Sequence, residues 1–415
     1  MNLLRLVWSY LKAKPLNTFL NAFLLSLGIS VIVVILVFSH QLQEKISTNT
    51  KGIDLVVGAK GSPLQLILCN IFHIDFPTGN IKLSDAESLA KHRLIKKAIP
   101  LALGDSFQGY RLVGTTHEYV YLFNLPLQQG EWWADDFQVT IGAVVAENLK
   151  LKVGDRFVST HGLAQDGHDH EEKFFVVKGI IKKSYTAIDN LILTTIPSIW
   201  EIHEEHGEED HAEVHTPIQK DSSLLIPGGI EKDSTREITS LLVQFRNPLA
   251  AIQLPRYING QTNMQAASPA FEAARLFSIL GVGISALNAF AYVLIFISGL
   301  SIFIALYNSL KERKYDLAIM RSMGASRRKL FLTVITEGTT LTAVGSLAGL
   351  ALGHFIFWAF TNWTDAGLRG GMTSAVFYAE EYFIFAGSLL LGIICSLLPA
   401  MQAYRTDIHK VLAGN

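Results

Sequence analysis

Four stretches of this 415-residue sequence contain no Asp, Glu, Lys or Arg: residues 15–43, 276–310, 338–364 and 382–404. A helix needs roughly 20 apolar residues to cross the hydrocarbon core of a bilayer, and each stretch reaches that length. Lipid offers the backbone no hydrogen-bonding partner, so runs this long satisfy their amides internally as helices. The expected fold class is an α-helical membrane protein with four transmembrane helices plus a large α+β extracytoplasmic domain inserted between helices one and two. A simple soluble enzyme is excluded. The formal net charge of −1 says little, because it averages over compartments. Cys69 and Cys395 fall in different kinds of segment, which excludes a disulfide framework.

Charge between the runs sets the orientation. Arg5, Lys12 and Lys14 precede the first run with no acid among them. The run is too long for a signal peptide and no small-residue cleavage site follows it, so it reads as a retained helix. Residues 307–331 carry seven basic side chains against Glu312 and Asp316, whereas Asp365, Arg369, Glu380 and Glu381 leave the next connection acidic. By the positive-inside rule both termini and the 307–330 region are cytoplasmic. The expected layout is a cytoplasmic N-terminal helix and span one over 1–39, then an outside domain over 40–275. Span two covers 276–306, the cytoplasmic region 307–330 and span three 331–361. An outside loop over 362–381, span four over 382–404 and a cytoplasmic tail over 405–415 complete it.

The outside domain holds 22 of the 35 basic residues and 29 of the 36 acids. An acidic domain is a poor partner for nucleic acid or an anionic lipid surface. LVVGA (55–59), FVVKGII (175–181) and NLILTTI (190–196) are β-branched runs bounded by turn residues and read as strands. LSDAESLAKH (83–92) reads as a helix with Ser84 near its start, and AVVAENLKLKVGDRFVST as a helix, a Gly154-Asp155 turn and a strand. PAFEAARLFSILGVGISAL (269–287) is helical without a break and is expected to run as a stalk into span two.

Seven histidines cluster between 161 and 215: His161, His168 and His170 in one tract (161–173), His203, His206, His211 and His215 in a second, strongly acidic one (201–217). Imidazole with carboxylate suits zinc or another transition metal, whereas a solvated acidic loop has the same composition. A zincin-type protease needs histidines four apart in H-E-x-x-H; His203 and His206 are three apart.

Gly345, Gly349 and Gly353 share one face of span three and permit close helix packing, within the chain or between subunits. In LKERKYDLAIMRSMG, Leu310, Leu317, Met320 and Met323 are candidate apolar contacts of a short amphipathic helix, Gly324 a left-handed stop and Ser326 the cap of the next helix. Such a helix can dock a soluble partner or lie at the interface snorkelling its charges. Glu337 at the mouth of span three reads either as a structural pair or as a functional acid, and His354, deeper in, either as a polar contact facing the bundle or as a group that handles ions. The sequence has no G-x-x-x-x-G-K-[ST] phosphate loop, and no nucleophile–base spacing supports a stand-alone enzyme.

Three stretches carry a family resemblance: RLVWSYLKAKPLNTFLNAFLLSLGISVIVV, then KERKYDLAIMRSMGASRRKLFLTVITEG with its R-x-x-G-A-S and E-G pairs, then SLLPAMQAYRTDIHKVL. LQQGEWWADDFQVTIGAVVAENLKLKVGDRF is similar to the same family's core-domain run. Together they resemble the permease subunits of the MacB/FtsX-like superfamily, the membrane proteins of type VII ABC transporters. The resemblance implies a permease homodimer in a bacterial inner membrane beside two copies of a separate ABC ATPase. ATP and Mg would then be bound in that partner, with no cofactor in this chain. The implied coupling residues are Lys311, Glu312, Arg313, Asp316, Leu317, Met320, Arg321, Gly324, Ala325 and Ser326. It also implies mechanotransmission: closure of the ATPase moves the cytoplasmic helices, and the stalks move the outside domains. Family members expel macrolides and peptides, release lipoproteins or, in cell division, change the activity of an extracytoplasmic enzyme. Export or extraction, with or without a periplasmic partner protein, therefore stands beside activation of an outside enzyme. The histidine tracts and GIDLVVGAKGSPLQLILCN depart from the family pattern; the histidine tracts add metal handling as a third expectation.

Overall fold

The computed structural model describes residues 3–159, 174–204, 236–364 and 371–405. It divides into two compact units, Met1–Gln43 with Ile279–Asn415, and Glu44–Ser278.

The first unit is helical. Its elements are α1 (Leu3–Ala13) and α2 (Pro15–Asn49) at the N-terminal end, the latter continuing past the unit's edge. Among the described residues, twelve strands and six helices of the second unit intervene; then come α9 (Pro269–Glu312), which starts inside the second unit, α10 (Lys314–Ser322), α11 (Arg327–Trp363) and α12 (Ala379–Arg405). Four of these, α2, α9, α11 and α12, are long and apolar enough to cross a membrane. Span two and the stalk are one unbroken helix, as the uninterrupted apolar pattern of 269–287 leads one to expect.

The second unit is built on a mixed sheet. Its elements begin with β1 (Leu55–Ala59), α3 (Pro63–Asn70), β2 (Ile81–Lys82), α4 (Leu83–Ala90), β3 (Ile95–Phe107) and β4 (Tyr110–Thr115). There follow α5 (His117–Leu122), β5 (Leu127–Gly130), β6 (Gln138–Ile141), α6 (Ala143–Leu149), β7 (Arg156–Phe157) and β8 (Phe175–Ile181). A 3-10 turn (Ala187–Asn190), β9 (Leu191–Thr194), α7 (Ile196–Glu204), β10 (Glu237–Ile238), β11 (Ser240–Phe245), α8 (Ala250–Gln261) and β12 (Met264–Ala267) complete it. Ten strands form one sheet in the order β12-β1-β11-β3-β4-β9-β6-β8-β5, with β7 paired to β8; β10 pairs β2 separately. The β4–β9 and β6–β8 pairs are parallel and the others antiparallel.

Alternate side chains of the strands enter two separate cores, as a period of two requires. Leu55, Val57, Leu112, Ile192, Leu241 and Val243 face one core, closed by Leu89, Ile199 and Leu254. Val56, Val113, Leu193 and Leu242 face the other, closed by Leu66, Tyr119 and Ile188. Because both faces are covered, the strands read as continuous apolar runs. Helix α4 runs over Leu83–Ala90 with Ser84 near its start; it is entered through Lys82, which makes no side-chain cap, and the Ser84 carbonyl accepts the Ser88 hydroxyl.

Candidate functional site

The junction between α9 and α11 is built around α10. Leu317 and Ala318 are buried, and Leu317 joins Leu310, Leu330, Val334, Ala400 and Ala403 in one apolar cluster, against which Met320 packs. With those contacts turned inward, α10 presents Tyr315 (58% exposed), Ile319 (37%) and Met323 (82%) on its outer side. They are four residues apart and so stack along one helical face. Met323 is therefore an outward-facing residue, not a core contact. Tyr315 and Ile319 belong to the same stripe, and their four-residue spacing to Met323 is the signal for it in the sequence.

Both ends of α10 are sharply defined. Gly324 has φ +99°, its N–H donates to Arg321 O and the Ala325 N–H to Met320 O. That doubly bonded stop requires a left-handed residue, which glycine adopts without strain. The Ser326 hydroxyl then accepts from the Lys329 N–H at 3.3 Å and caps α11. Among the expected coupling residues, Lys311, Glu312, Asp316, Gly324 and Ser326 are exposed, Arg313, Met320, Arg321 and Ala325 half-buried, and Leu317 buried.

Glu337, buried near the start of α11, lies 3.5 Å from the Arg313 guanidinium. The same guanidinium stacks on the Tyr10 ring at 3.9 Å. Lys14 pairs with Glu312 beside it. At the other end of the bundle His354 Nδ1 donates to Ser374 O at 2.7 Å, and its Nε2 lies 2.9 Å from Glu381 Oε2.

Gly345, Gly349 and Gly353 face α2. A Cβ on Gly349 would lie 2.8 Å from Ile29 Cβ and 2.9 Å from Ser26 O, and one on Gly353 2.8 Å from Val33 Cβ. This glycine face is packed within the chain.

In the sheet unit, the stretch after β1 carries a buried polar group. Arg111 of β4 donates to Asp75 O at 2.8 Å and reaches Cys69 Sγ at 3.5 Å. His73, left-handed at φ +55°, contacts the Tyr119 hydroxyl through Nε2 at 3.1 Å. Burial pushes the Cys69 thiol up to about 11, against the opposing pull of Arg111. Burial and then the Arg111 charge push His73 down to about 3, and burial raises the Tyr119 hydroxyl. A neutral thiol, a neutral imidazole and a neutral phenol form a structural set, since an active thiol needs a lowered pKa.

The metal-ligand candidates His161, His168, His170, His206, His211 and His215 lie outside the described residues. His203 falls in the last turn of α7, where only the backbone is described. Among the described residues no three His, Cys, Asp or Glu side chains converge on a metal-sized site.

Residues 18–247 match the family described as MacB-like periplasmic core domain, and residues 288–408 the FtsX-like permease C-terminal family. The pyoverdine export ATP-binding/permease protein PvdT of Pseudomonas syringae pv. tomato is 22% identical over 428 residues, 98% of this chain and 58% of that protein. The macrolide export ATP-binding/permease protein MacB of Escherichia coli is 22% identical over 333 residues, 78% of this chain and 47% of that protein. The chain thus spans about half the length of these curated relatives. Among solved structures, the periplasmic region of MacB from Actinobacillus actinomycetemcomitans aligns with 56% of this chain and 97% of its own length, at 15% identity and a TM-score of 0.33.

Proposed function

Since the chain belongs to the MacB-like ABC transporter permease family, we propose that it is a permease subunit driven by a separate ABC ATPase that docks on the exposed face of α10. In this reading the sheet unit is the extracytoplasmic domain, inserted between spans one and two of an inner-membrane protein with cytoplasmic termini. Two permease copies work with two ATPase subunits, and ATP-driven movement of α10 is passed through α9 to the sheet domain. The work done is export or extraction of a substrate outside the membrane.

One observation carries the docking part. Leu317 and Ala318 anchor α10, while Tyr315, Ile319 and Met323 are left toward water at the end of a bundle whose charges are basic. An apolar stripe on an anchored two-turn helix suits insertion into a groove of a soluble partner. Asp316 and Arg321 border the stripe and supply polar contacts for orientation. The histidine tracts add a second element to the proposal, a loose transition-metal collector outside the membrane.

The docking test uses the full chain in nanodiscs with an ABC ATPase subunit. Met323→Glu and Ile319→Glu are expected to weaken association at least roughly tenfold, as loss of a central apolar anchor does, and to leave the permease folded. Association at the unaltered strength in both variants would overturn the reading. Zinc binding by the full chain, lost when the seven histidines are replaced, tests the metal element; equal binding by both forms removes it.

A further inference from the structure

We propose that Arg313 is a positioning residue, a latch through which movement of α10 is passed to α1 and α11. The proposal rests on α10 being the ATPase-docking element. Arg313 is the residue where α9 stops and α10 starts: its φ of −96° and ψ of 11° break the helical path. Neighbouring Lys311 and Glu312 are exposed, but the Arg313 side chain is turned inward and only 15% exposed.

Its guanidinium makes three contacts. It lies over the Tyr10 ring at 3.9 Å, donates to Tyr10 O at 3.4 Å, and sits 3.5 Å from Glu337 Oε1, whose side chain is 11% exposed. One cation thus joins the α9–α10 junction to the N-terminal helix and to span three. Lys14, at the corner between α1 and α2, binds the adjacent Glu312. Two consecutive junction residues are therefore tied to the N-terminal corner. Val7 and Leu11 of α1 in turn pack with Ile302, Leu306 and Leu341, so α1 is itself fixed to α9 and α11.

A buried ion pair contributes little net stability, because desolvation offsets most of the Coulomb gain; its better-attested use is to specify register. A planar guanidinium also stacks and hydrogen-bonds in directions that an ammonium does not reproduce. Without the latch, α10 remains held by Leu317 and its apolar neighbours, which resist removal but not rotation. Docking survives and transmission does not.

The test reads two quantities on the full chain in nanodiscs with an ABC ATPase subunit: the affinity of the ATPase for the chain, and the change in ATPase rate that the chain induces. Arg313→Gln and Glu337→Gln are expected to keep affinity within about twofold and to cut the rate change roughly tenfold, the scale of coupling through packed contacts. Arg313→Lys keeps the charge without the fork and should recover only part. Arg313→Met with Glu337→Met leaves no orphaned charge and so should fold, yet should still lose the rate change. An unaltered rate response in that double variant overturns the latch. Affinity falling in step with the rate response also overturns it, because Arg313 would then be a docking residue. If the unaltered chain binds no ATPase, the docking reading fails and takes the latch with it, an outcome distinct from a loss confined to the variants.

Discussion

The helical unit and the sheet unit distribute their apolar residues differently. In the sheet unit Leu, Ile and Val fill both cores. In the helical unit Phe19, Phe23, Ile304, Phe355 and Leu398 point outward, and the inside combines apolar side chains such as Leu25, Ile29 and Val33 with small and hydroxylated residues such as Gly349, Ser26, Ser30, Thr342, Ser346 and Ser396. The Ser301 hydroxyl bonds Asn21 Oδ1 at 2.5 Å within that interior. Water drives apolar groups together and lipid does not, so helices in a bilayer are held by close backbone approach and polar contacts instead. The two units should therefore fail under opposite changes: the sheet unit when volume is removed, the helical unit when volume is added.

Removing volume gives the largest expected effect. Tyr119 is among the largest fully buried side chains of its core and holds the His73 ring. Tyr119→Ala should cost about 4 kcal/mol from the cavity and the lost contact. Hydrogen exchange on the full chain should then show lost protection along β3, β4 and β11. Protection at the unaltered level would mean that this core does not hold the sheet.

Adding volume comes next. Gly349→Val puts branched carbon where even a Cβ would meet Ile29 and the Ser26 carbonyl. A cost of about 2–3 kcal/mol is expected, read as a lower unfolding temperature in detergent. Leu398→Ala, on the outer surface at 61% exposed, is the control and should leave that temperature nearly unchanged. Equal losses in both would erase the contrast between the units.

Acid should separate the units without mutation. His73 is half-buried as a residue, yet its Nδ1 has lost access to water and has no hydrogen-bond partner. Its folded pKa of about 3 lies below the ordinary 6.5. The unfolded chain therefore binds a proton that the folded domain refuses, and the histidine's share of stability is full above pH 6.5 and lost as pH falls from 6.5 towards 3. Discounted for partial exposure, the loss between pH 7 and 4.5 should be about 2 kcal/mol. His73→Phe should flatten this dependence in hydrogen exchange of the sheet unit; an unchanged slope assigns the acid sensitivity to other groups.

Much of this arrangement is legible in the sequence because it rests on local signals. Charge-free runs of fixed length give the four long helices, β-branched runs give β1, β8 and β9, and Gly324 with Ser326 gives the stop and the cap around α10. What the sequence hides depends on contacts between distant residues. Met323 fits the apolar pattern of the helix as well as Leu317 does, and only the packing of Leu317 against Ala400 and Ala403 shows which side faces in. The pairing of Arg313 with Glu337 joins positions on different helices, and His73, Arg111 and Tyr119 meet only once β4 and the loop after α3 are folded. The glycine stripe gives close packing but not its partner; Ile29 and Val33 supply that.

The smallest expected effect lies at the end of the bundle opposite α10. There the Gln41 amide donates to Thr373 O at 2.5 Å and accepts from the Thr373 N–H at 2.9 Å, while His354 holds the neighbouring Ser374 O. The Gln41–Thr373 tie is made of hydrogen bonds between neutral groups, where the Arg313 end uses an ion pair. Losing one partner at the Arg313 end leaves a buried charge; losing Gln41 leaves the N–H and the C=O of Thr373, an exposed residue where water can satisfy both. Hydrogen bonds between membrane helices are worth well under 2 kcal/mol, and the His354 contact keeps the segment in place. Gln41→Ala should therefore cost about 0.5–1 kcal/mol, with faster hydrogen exchange confined to residues 371–378 and no change in unfolding temperature beyond a degree or so. A loss as large as that of Gly349→Val would mean that the helical unit depends on polar ties at its ends more than on close packing along its length, and the contrast with the sheet unit would have to be redrawn on that basis.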